Sequence, residues 1–535
     1  MTENKRPGVF AFDMIAKCDE YPDFPAVTFE NHPENDEVLT YSDLVLKGNK
    51  LAWHLKKIGI RRGDMFCIVM RNHPEVVLAI YAASALGAVL VPIDPRSKGE
   101  KLRYQIRNAG CVGVIFSAEF LESIEEAMGT LPEVKIIACL YTSDFKAPIL
   151  SKYPSFNEIM DGPETPMFDA IFQTTGDKLM LMYTSGTTGN PKGVYRRYDR
   201  IQLACANAKL AWGYTPEDKL YTGLSLTHGN AQTVTLFPAL YNKLPAVISR
   251  KFTKSRIWDI CRSYNCTTFS LLGGMMTGIY SEPVKSNDRE NPVRLVISAG
   301  TPRAIWEAFE ERFNVKIHEW YASMEGGFAH KPPGVGPIGS FGKPLEGKMV
   351  MKVVREDDTE CDPGEIGELI CRNLTGETKV EYHANNEASE AKTRGGWLRS
   401  GDMCHMGKDG WFFFDFRQGE SLRRLGDFII PQYIESVIAE HPDVSDVCVY
   451  GIEAASGAPG ESDLVAAIIP NLGSTPNIKD IFELCLRKLE LNSVPSYIQV
   501  VQEIPRSASE KNLYRQLFEE FDPLKANVYE FRYHR

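Results

Sequence analysis

Residues 183–193, Tyr-Thr-Ser-Gly-Thr-Thr-Gly-Asn-Pro-Lys-Gly, carry the strongest signal in this chain. Four Ser or Thr hydroxyls, three glycines and one lysine fall within these eleven residues. Glycines let backbone N–H groups turn toward an anion, hydroxyls add small donors, and Lys192 supplies a positive charge for phosphate. The uncharged apolar run at 179–182 predicts a buried strand before the loop. Together they predict a strand followed by a loop that holds the phosphates of a nucleotide.

The spacing of this loop does not fit a P-loop NTPase. A Walker loop requires Gly, four residues, and then Gly-Lys-Ser/Thr. Here Gly189 is followed by Asn-Pro-Lys-Gly, and no Ser or Thr follows Lys192. A P-loop function therefore ranks last. An ordinary Ser/Thr/Gly surface loop is the other alternative, and the number of ordered positions argues against it.

Length and composition predict a multidomain globular protein. The chain has 535 residues, which is too long for one hydrophobic core. Its 43% hydrophobic and 24% charged residues are ordinary for a globular protein. A net charge of −10 argues against a nucleic-acid-binding surface, which needs clustered cations, and the short basic run at 196–200 is expected to be a solvated face. The twelve cysteines form no C-x-x-C pair and are expected to be buried reduced thiols.

Neither a secretory signal nor a transmembrane segment is expected. The N-terminus carries charges with no apolar stretch or cleavage site behind them. Residues 76–93 are almost wholly apolar, but Gly87 and Pro92 interrupt them. We predict a buried helix over 75–86, closed by Gly87, and a buried strand over 88–91. The expected location is cytoplasmic, with peripheral membrane contact left open.

Two different patterns of predicted secondary structure along the chain indicate two domains. Apolar, β-branched runs alternate with helical patterns up to about residue 340, which predicts an α/β fold with largely parallel sheets. The predicted strands are 112–116, 135–139 and 294–298, and the predicted helices are 100–108 and 303–312. Beyond residue 342 the strands are shorter, at 348–355, 368–371 and 411–414. Strands at 445–451 and 464–469 with a helix at 478–489 would form a small α+β unit. We place the boundary near Phe416, giving domains 1–416 and 417–535.

The loop at 183–193 resembles the signature loop of the adenylate-forming enzymes, which include acyl-CoA synthetases, luciferases and peptide-synthetase adenylation domains. Residues 319–327, Glu-Trp-Tyr-Ala-Ser-Met-Glu-Gly-Gly, resemble the family segment Tyr-Gly-x-Thr-Glu. The resemblance implies that Tyr321 stacks on adenine and that Glu325 holds Mg²⁺, which prefers hard oxygen ligands. Met324 replaces the usual Thr, a donor to the α-phosphate, and losing one such donor costs about 3 kcal/mol.

Two further blocks resemble the family's ribose-binding motifs. Residues 396–402, Gly-Trp-Leu-Arg-Ser-Gly-Asp, match Gly-Trp-x-x-Thr/Ser-Gly-Asp, which implies that the carboxylate of Asp402 accepts hydrogen bonds from both ribose hydroxyls. Arg417 matches the arginine of the family's Asp-Arg-x-x-Asp, which contacts ribose and phosphate, although Phe416 replaces the first Asp. Gly419 falls at the interdomain hinge position, where glycine absorbs large φ/ψ changes.

The catalytic lysine implied by the resemblance is Lys511. Residues 505–511, Pro-Arg-Ser-Ala-Ser-Glu-Lys, match the family's Pro-Lys/Arg-Thr/Ser-x-x-Gly-Lys, with Glu510 in place of Gly. Glu510 is expected to weaken or retune the approach of the lysine. Lys511, Glu325 and Lys192 are therefore the predicted catalytic residues, and Glu325 is the predicted metal ligand.

The remaining assignments complete the predicted site. Residues 223–230 resemble the segment that lines the acid pocket, and 298–302 resemble the small-residue loop beside adenine. The predicted ATP- or AMP-binding residues are Thr184, Ser185, Gly186, Thr187, Thr188, Gly189, Ala299, Gly300, Thr301, Glu319, Trp320, Tyr321, Asp402 and Arg417. The predicted acyl pocket comprises Ser225, His228, Gly229, Ser298 and Ala322. Gly419, Leu425 and Gly426 are assigned to the hinge and the approach of CoA.

The resemblance implies an ATP-dependent acid–CoA ligase that uses ATP, CoA and Mg²⁺. Its motifs are most similar to those of fatty-acid transport, very-long-chain and carnitine/crotonobetaine CoA ligases, so that a fatty or carnitine-like acid is the expected substrate. The implied fold is a large N-terminal domain of αβαβα layers with a β-barrel-like subdomain, and a small mobile α+β C-terminal domain. Two alternatives stay open: an enzyme that loads an acid onto a separate carrier protein, and a non-catalytic acyl- or nucleotide-binding homologue.

Overall fold

The structure, a computed structural model, describes most of the chain in two compact units. The described residues are 7–143, 145, 152–171, 173–184, 191–417, 422–424, 427–454, 462–506 and 514–531. Unit one comprises Met1–Leu271, Pro292–Ile297 and Val380–Glu390. Unit two comprises Leu272–Asn291, Ser298–Lys379 and Ala391–Arg535.

The helices occur in both units. In chain order, α1 to α15 are Phe10–Glu20, Tyr41–Lys57, Pro74–Leu86, Gly99–Ala109, Leu121–Met128, Phe156–Asp161, Tyr198–Trp212, Phe237–Asn242, Ile257–Tyr264, Gly273–Tyr280, Trp306–Phe313, Asn386–Lys392, Pro431–Ile438, Ile478–Lys488 and Tyr514–Glu520. A π-helical segment, Ala231–Leu236, leads directly into α8. Short 3₁₀ turns occur at Ala118–Phe120, Arg303–Ile305, Arg394–Gly396 and Leu491–Ser493.

The strands alternate with these helices in the first half of the chain and dominate the middle. In chain order, β1 to β25 are Pro25–Glu30, Glu37–Thr40, Met65–Val69, Val89–Pro92, Cys111–Ser117, Lys135–Leu140, Lys178–Tyr183, Gly193–Arg197, Leu220–Thr222, Ala246–Ser249, Thr268–Leu272, Leu295–Ala299, Lys316–Tyr321, Ala329–Lys331, Lys343–Pro344, Met349–Val354, Gly367–Asn373, Leu398–Met406, Phe412–Arg417, Leu422–Arg424, Asp427–Ile429, Val444–Glu453, Ser462–Pro470, Tyr497–Val500 and Val528–Glu530.

Unit one is built on two largely parallel sheets. The first has the order β6-β5-β3-β4-β7-β8, and all its pairs are parallel except β7 with β8. In the second, β1 pairs in parallel with β10, β10 with β9 and β9 with β11, while β2 is an antiparallel edge. The predicted α/β class with largely parallel sheets is therefore confirmed.

Helix α3 and strand β4 form the apolar segment that resembled a membrane span. Every residue of α3 except Glu75 is buried, so that the helix is apolar all round because it lies inside the core. Pro74 stands in its first turn, and Gly87 ends it in the left-handed conformation with φ of 65°. The predicted helix and strand are confirmed. In the described part of the chain, no helix is both long and apolar enough to cross a bilayer.

Unit two contains the antiparallel sheets. Strands β16-β17-β18-β19 form one four-stranded antiparallel sheet. Strands β22-β23-β24-β25 form another, with only the β23–β24 pair parallel. Helix α14, predicted at 478–489, buries Ile481, Phe482 and Cys485 in the core of this last sheet, as an amphipathic helix does. The larger N-terminal and smaller C-terminal parts agree with the predicted fold class.

Several boundaries differ from those predicted. The helix expected at 303–312 begins with a 3₁₀ turn after Pro302, and its α-helical part is shifted to Trp306–Phe313, since tight 3₁₀ turns commonly open helices. The aromatic strand extends to Arg417 because it pairs along its length with β18. All twelve cysteines are free, and all but Cys18 are buried, as expected.

Candidate functional site

The two ends of the predicted phosphate loop lie together in unit one. Tyr183 at the end of β7 pairs with Gly193 at the start of β8. The backbone N–H of Thr184 donates to the carbonyl of Lys192 over 2.9 Å. The strand predicted before the loop is therefore confirmed. The loop residues Ser185, Gly186, Thr187, Thr188 and Gly189 lie outside the described residues.

Lys192 projects from the C-terminal end of this loop. Its side chain is exposed, and its Nζ lies 5.3 Å from the ring centroid of Tyr382. Within the described residues no carboxylate pairs with it. A lysine held by an aromatic ring at the base of a loop keeps its charge available for an anion.

Three of the five residues predicted to line the acid pocket, Ser225, His228 and Gly229, share one turn in unit one. The N–H of His228 donates to the carbonyl of Ser225 over 2.9 Å, and the N–H of Asn230 donates to Nδ1 of His228 over 3.2 Å. The hydroxyl oxygens of Ser225 and Thr227 are 2.8 Å apart. Gly229 leads from this turn into the π-helical segment, a rare conformation that is frequent at functional sites.

In unit two, Glu319 holds the small-residue loop that follows β12. Its Oε1 accepts the N–H of Gly300 over 2.6 Å, and its Oε2 lies 2.5 Å from the hydroxyl of Thr301. The same hydroxyl lies 2.7 Å from Oγ of Ser298. Gly300 needs its positive φ of 79°, and a Cβ on Gly273 would meet the Gly300 carbonyl oxygen at 1.8 Å, so this loop is tightly packed.

Burial raises the pKa of Glu319 to about 7, although the Thr301 and Gly300 donors partly offset this effect. The Glu319 carboxylate is thus already hydrogen-bonded to residues of the loop at 298–301. The prediction assigned Glu319 to the nucleotide site, and the structure shows it orienting the neighbouring predicted residues. The adjacent Trp320 is buried and Ala299 is half-buried.

Glu325 stands at the corner of a tight turn after β13. Ser323 and Gly326 exchange backbone hydrogen bonds of 3.1 Å and 3.2 Å across this turn, and the Ser323 hydroxyl also donates to the Gly326 carbonyl over 2.8 Å. Met324 and Glu325 occupy the two central positions. Glu325 is buried with 8% exposure, whereas Ala322, assigned to the acyl pocket, is exposed.

In unit two, Tyr321 at the end of β13 meets Asp402 and Arg417, which lie on the antiparallel sheet. Asp402 on β18 is opposite Arg417 on β19 in the strand register, and its Oδ1 lies 3.4 Å from Nε of Arg417. The hydroxyl of Tyr321 donates to Oδ2 of Asp402 over 2.5 Å. The N–H of Asp402 donates to Oγ of Ser400 over 2.9 Å, which fixes the carboxylate at the bend of the strand. The structure therefore brings together three residues predicted from separate motifs.

The ring of Tyr321 is supported from one side. It packs against Phe341 with ring centroids 4.7 Å apart and planes inclined by 31°. Burial, followed by the negative charge of Asp402, raises the pKa of Tyr321 well above its usual value, so that the hydroxyl stays a donor. The predicted stacking on adenine remains a prediction.

Lys392, at the end of α12, was not singled out from the sequence. Its Nζ donates to the Ser400 carbonyl over 2.8 Å. Burial lowers its pKa, and the carboxylates of Glu325 and Asp402 oppose this shift while Arg417 adds to it. Lys392 therefore lies among the charged residues of the candidate site. A lysine in the run Asn-Glu-Ala-Ser-Glu-Ala-Lys carries no sequence signal that distinguishes it from a solvated charge.

The described residues contain no cluster of three or more His, Cys, Asp or Glu side chains that could hold a metal ion. Mg²⁺ is commonly bound through one or two carboxylates together with substrate phosphates and water. The buried carboxylate of Glu325 fits this mode of binding. Lys511, Gly419, Leu425 and Gly426 lie outside the described residues.

Comparisons with known proteins match the chain over nearly its full length. The AMP-binding enzyme family matches residues 15–375, and the AMP-binding enzyme C-terminal domain matches residues 433–511. Crotonobetaine/carnitine–CoA ligase of Salmonella paratyphi B is 26% identical, and the match covers 93% of this chain and 96% of that protein.

Solved structures show the same fold. An anthranilate CoA ligase in complex with anthranoyl-AMP matches with a TM-score of 0.83 and 24% identity, covering 95% of this chain and 96% of that one. A benzoate CoA ligase from Burkholderia xenovorans LB400 matches with a TM-score of 0.82 and 20% identity, covering 95% of this chain and 99% of that one. The predicted superfamily, the enzyme class of AMP-forming acid–CoA ligases and the use of ATP, Mg²⁺ and CoA are confirmed. The chain belongs to the AMP-binding enzyme family.

Proposed function

We propose that this enzyme joins a carboxylic acid to CoA in two steps, with an acyl-adenylate as the intermediate. ATP supplies the AMP group and pyrophosphate leaves; CoA then displaces AMP. The observation that carries the proposal is the contact of Asp402 with both Tyr321 and Arg417. We place the enzyme in the cytoplasm and its substrate among the fatty or carnitine-like acids.

The ribose of ATP is assigned to Asp402. A buried carboxylate fixed by its neighbours can accept hydrogen bonds from two adjacent hydroxyls, and pre-orientation keeps it from reorganising when the nucleotide binds. Tyr321 and Arg417 supply that orientation from opposite sides. The adenine would lie beside the loop at 298–301, which Glu319 holds in place.

The phosphates are assigned to the loop between β7 and β8. Thr184, Ser185, Thr187, Thr188 and Lys192 would hold the pyrophosphate that leaves. Glu325 would hold Mg²⁺, which screens the negative charge of the phosphates when bound. Lys511 would neutralise the charge that develops between the substrate carboxylate and the α-phosphate. These residues act by positioning and electrostatics and form no covalent bond with the substrate.

The second step is assigned to a rotation of the C-terminal domain. We propose domains of residues 1–416 and 417–535, with Gly419 as the hinge. Rotation would withdraw Lys511 and bring Leu425 and Gly426 to the path of the CoA thiol, which attacks the acyl carbon. The match of the family's C-terminal domain to residues 433–511 supports a separate unit in this region.

Lys511→Ala tests the two-step assignment. The variant should lose acid-dependent ATP–pyrophosphate exchange and keep thioester formation from a supplied acyl-adenylate. Lys525→Ala is the matched control, because Lys525 is exposed and its Nζ bonds only to the Glu520 carbonyl among the described residues. Equal loss of both half-reactions in Lys511→Ala would contradict the assignment.

A panel of carboxylic acids with ATP, Mg²⁺ and CoA separates the alternatives. AMP and acyl-CoA formed together support the proposal. Exchange without acyl-CoA favours transfer to a carrier protein, and no exchange with any acid favours the non-catalytic homologue.

A further inference from the structure

Arg196 on β8 is a buried cation in unit one, close behind the phosphate loop. It is 7% exposed, which corrects the expectation that the basic run at 196–200 is a solvated face. Although β8 is the edge strand of its sheet, its residues are buried up to Arg196, and only Arg197 is half-buried. A charge in this position needs a partner.

The partners of Arg196 are neutral. Its Nη1 donates to Oε1 of Gln232 over 3.2 Å, and its Nη2 donates to the hydroxyl of Thr233 over 3.1 Å. The guanidinium carbon lies 5.8 Å from the ring centroid of Phe237. The described residues give Arg196 no carboxylate partner. Burial lowers its pKa to about 10, so that the guanidinium remains charged at neutral pH.

The orientation of Gln232 is fixed from the other side. Its Nε2 donates to the carbonyl of Leu226 over 2.7 Å, which directs Oε1 toward Arg196. Gln232 and Thr233 both belong to the π-helical segment that follows His228 and Gly229. The guanidinium is therefore hydrogen-bonded to the segment that directly follows the turn with the predicted acid-pocket residues Ser225, His228 and Gly229.

A buried side-chain amide without hydrogen-bond partners lies at the start of this segment. Asn230 is 4% exposed, and neither its amide nitrogen nor its amide oxygen has a hydrogen-bond partner. Buried side-chain amides are nearly always bonded, and each unsatisfied group costs about 1–3 kcal/mol. An amide that is buried without a partner next to His228 indicates that a ligand supplies the partner.

We propose that Arg196 and Asn230 form a subsite for a second carboxylate on the acid substrate, remote from the carboxylate that is adenylated. The inference rests on the proposed function and narrows its substrate class to dicarboxylic acids. A guanidinium presents a planar fork of N–H donors that matches a carboxylate, and the Asn230 amide adds a neutral donor. Gln232 and Thr233 hold the guanidinium in place.

The same subsite disfavours a cationic acid. Carnitine carries a trimethylammonium group, and a buried guanidinium repels it in a medium where charges are poorly screened. A carnitine-like acid is therefore the weaker of the two substrate classes proposed above, and a simple fatty acid leaves Arg196 without a counter-charge.

Titration calorimetry of the full chain with suberate, its monomethyl ester and carnitine tests the proposal. The ester keeps the reacting carboxylate and loses the second charge. We expect the wild-type protein to bind suberate at least about tenfold more tightly than the ester, because only the diacid forms a charged hydrogen bond with the buried guanidinium. Carnitine should bind most weakly of the three compounds. Equal affinity for diacid and ester, or no binding of either, overturns the proposal.

Substitutions test which residues produce the preference for the diacid. Arg196→Met should remove the preference for the diacid and keep the affinity for the ester. Asn230→Leu should weaken suberate binding without lowering the melting temperature, because the amide has no partner to lose; a large drop in melting temperature would overturn its assignment. Lys209→Met removes a charge at an exposed position of α7 and is the matched control.

The assay separates this inference from the proposed function. AMP formation from the ester with no preference for the diacid overturns the subsite and leaves the ligase assignment standing. Diacid-selective binding without AMP formation from any acid supports the subsite and overturns the ligase assignment.

Discussion

The hydroxyl of Tyr321 donates to Oδ2 of Asp402 over 2.5 Å, and thereby ties β13 to the bend of β18. Arg417 approaches the other carboxylate oxygen at 3.4 Å. The carboxylate is thus held at both oxygens by groups that come from two other strands. Its orientation is set before a nucleotide binds.

Tyr321→Phe tests the importance of this hydrogen bond. The variant keeps the ring and its packing on Phe341 and loses only the donor. A hydrogen bond to a charged group is worth about 1.5–3 kcal/mol, so the KM for ATP should rise about tenfold or more. Steady-state kinetics with saturating acid measure this change. Tyr433→Phe, at an exposed position, is the control, and an unchanged KM in Tyr321→Phe would refute the orienting role.

Glu319→Gln should change how stability depends on pH. Burial raises the pKa of Glu319 from 4.5 to about 7. Between these two values the folded chain binds the proton more tightly than the unfolded chain, so this residue's contribution to stability falls as pH rises from about 4.5 to about 7. Glutamine cannot ionise, so the variant does not lose stability from this position as the pH rises. The melting temperature of the wild type minus that of the variant should therefore decrease across the window and level off above it.

A flat difference over that range would show that Glu319 titrates normally. Glu387→Gln is the matched control because Glu387 is exposed on α12. The wild type and this control should have parallel pH profiles.

Lys392→Met should weaken ATP binding. The ammonium lies among the carboxylates of Glu325, Asp402 and Glu368, and methionine keeps the length of the side chain without the charge. We expect the KM for ATP to rise about tenfold, as for the loss of one charged interaction in a partly buried site. Lys392→Arg should restore much of the affinity, and Lys408→Met removes an exposed charge as the control. Equal losses in Lys392→Met and Lys392→Arg would point to a purely steric role.

Met324→Thr should raise the rate of adenylate formation. The substitution places a hydroxyl at the centre of the turn between Ser323 and Gly326, where the family carries a donor for the α-phosphate. Because one transition-state donor is worth about a hundredfold or more, an increase of at least about tenfold in pyrophosphate exchange is expected. Met167→Thr, at a position 49% exposed, controls for the composition change. No gain would indicate that another residue already fills this role.

The sequence predicts well what depends on neighbours along the chain. Helix α3 and strand β4 follow from an apolar run with Gly87 at its interruption, and β7 follows from four apolar residues before the glycine-rich loop. Hydrophobic runs and glycine act locally, so their effect is visible without the fold.

Contacts between distant segments require the fold. Asp402 and Arg417 are each visible in a motif, but their opposition depends on the register of β18 with β19, which includes an irregularity between Met403 and Cys404. Arg196 is an ordinary basic residue in sequence, and the structure shows it buried against Gln232, Thr233 and Phe237, which lie more than 35 residues away in the chain. Lys392 ends a charged helix, and its closeness to Glu325, Asp402 and Arg417 depends on the fold.

The pairing of Asp402 with Arg417 has a consequence for inhibition. Both groups lie on one sheet, and Arg417 is the last residue of β19, before the proposed hinge. A compound that mimics the nucleoside and binds only this pair would compete with ATP in the first half-reaction and occupy the AMP position in the second. A compound that also requires Lys511 would block adenylation alone. Comparing the two kinds of compound in each half-reaction distinguishes a drug that stops the whole cycle from one that arrests it before the intermediate forms.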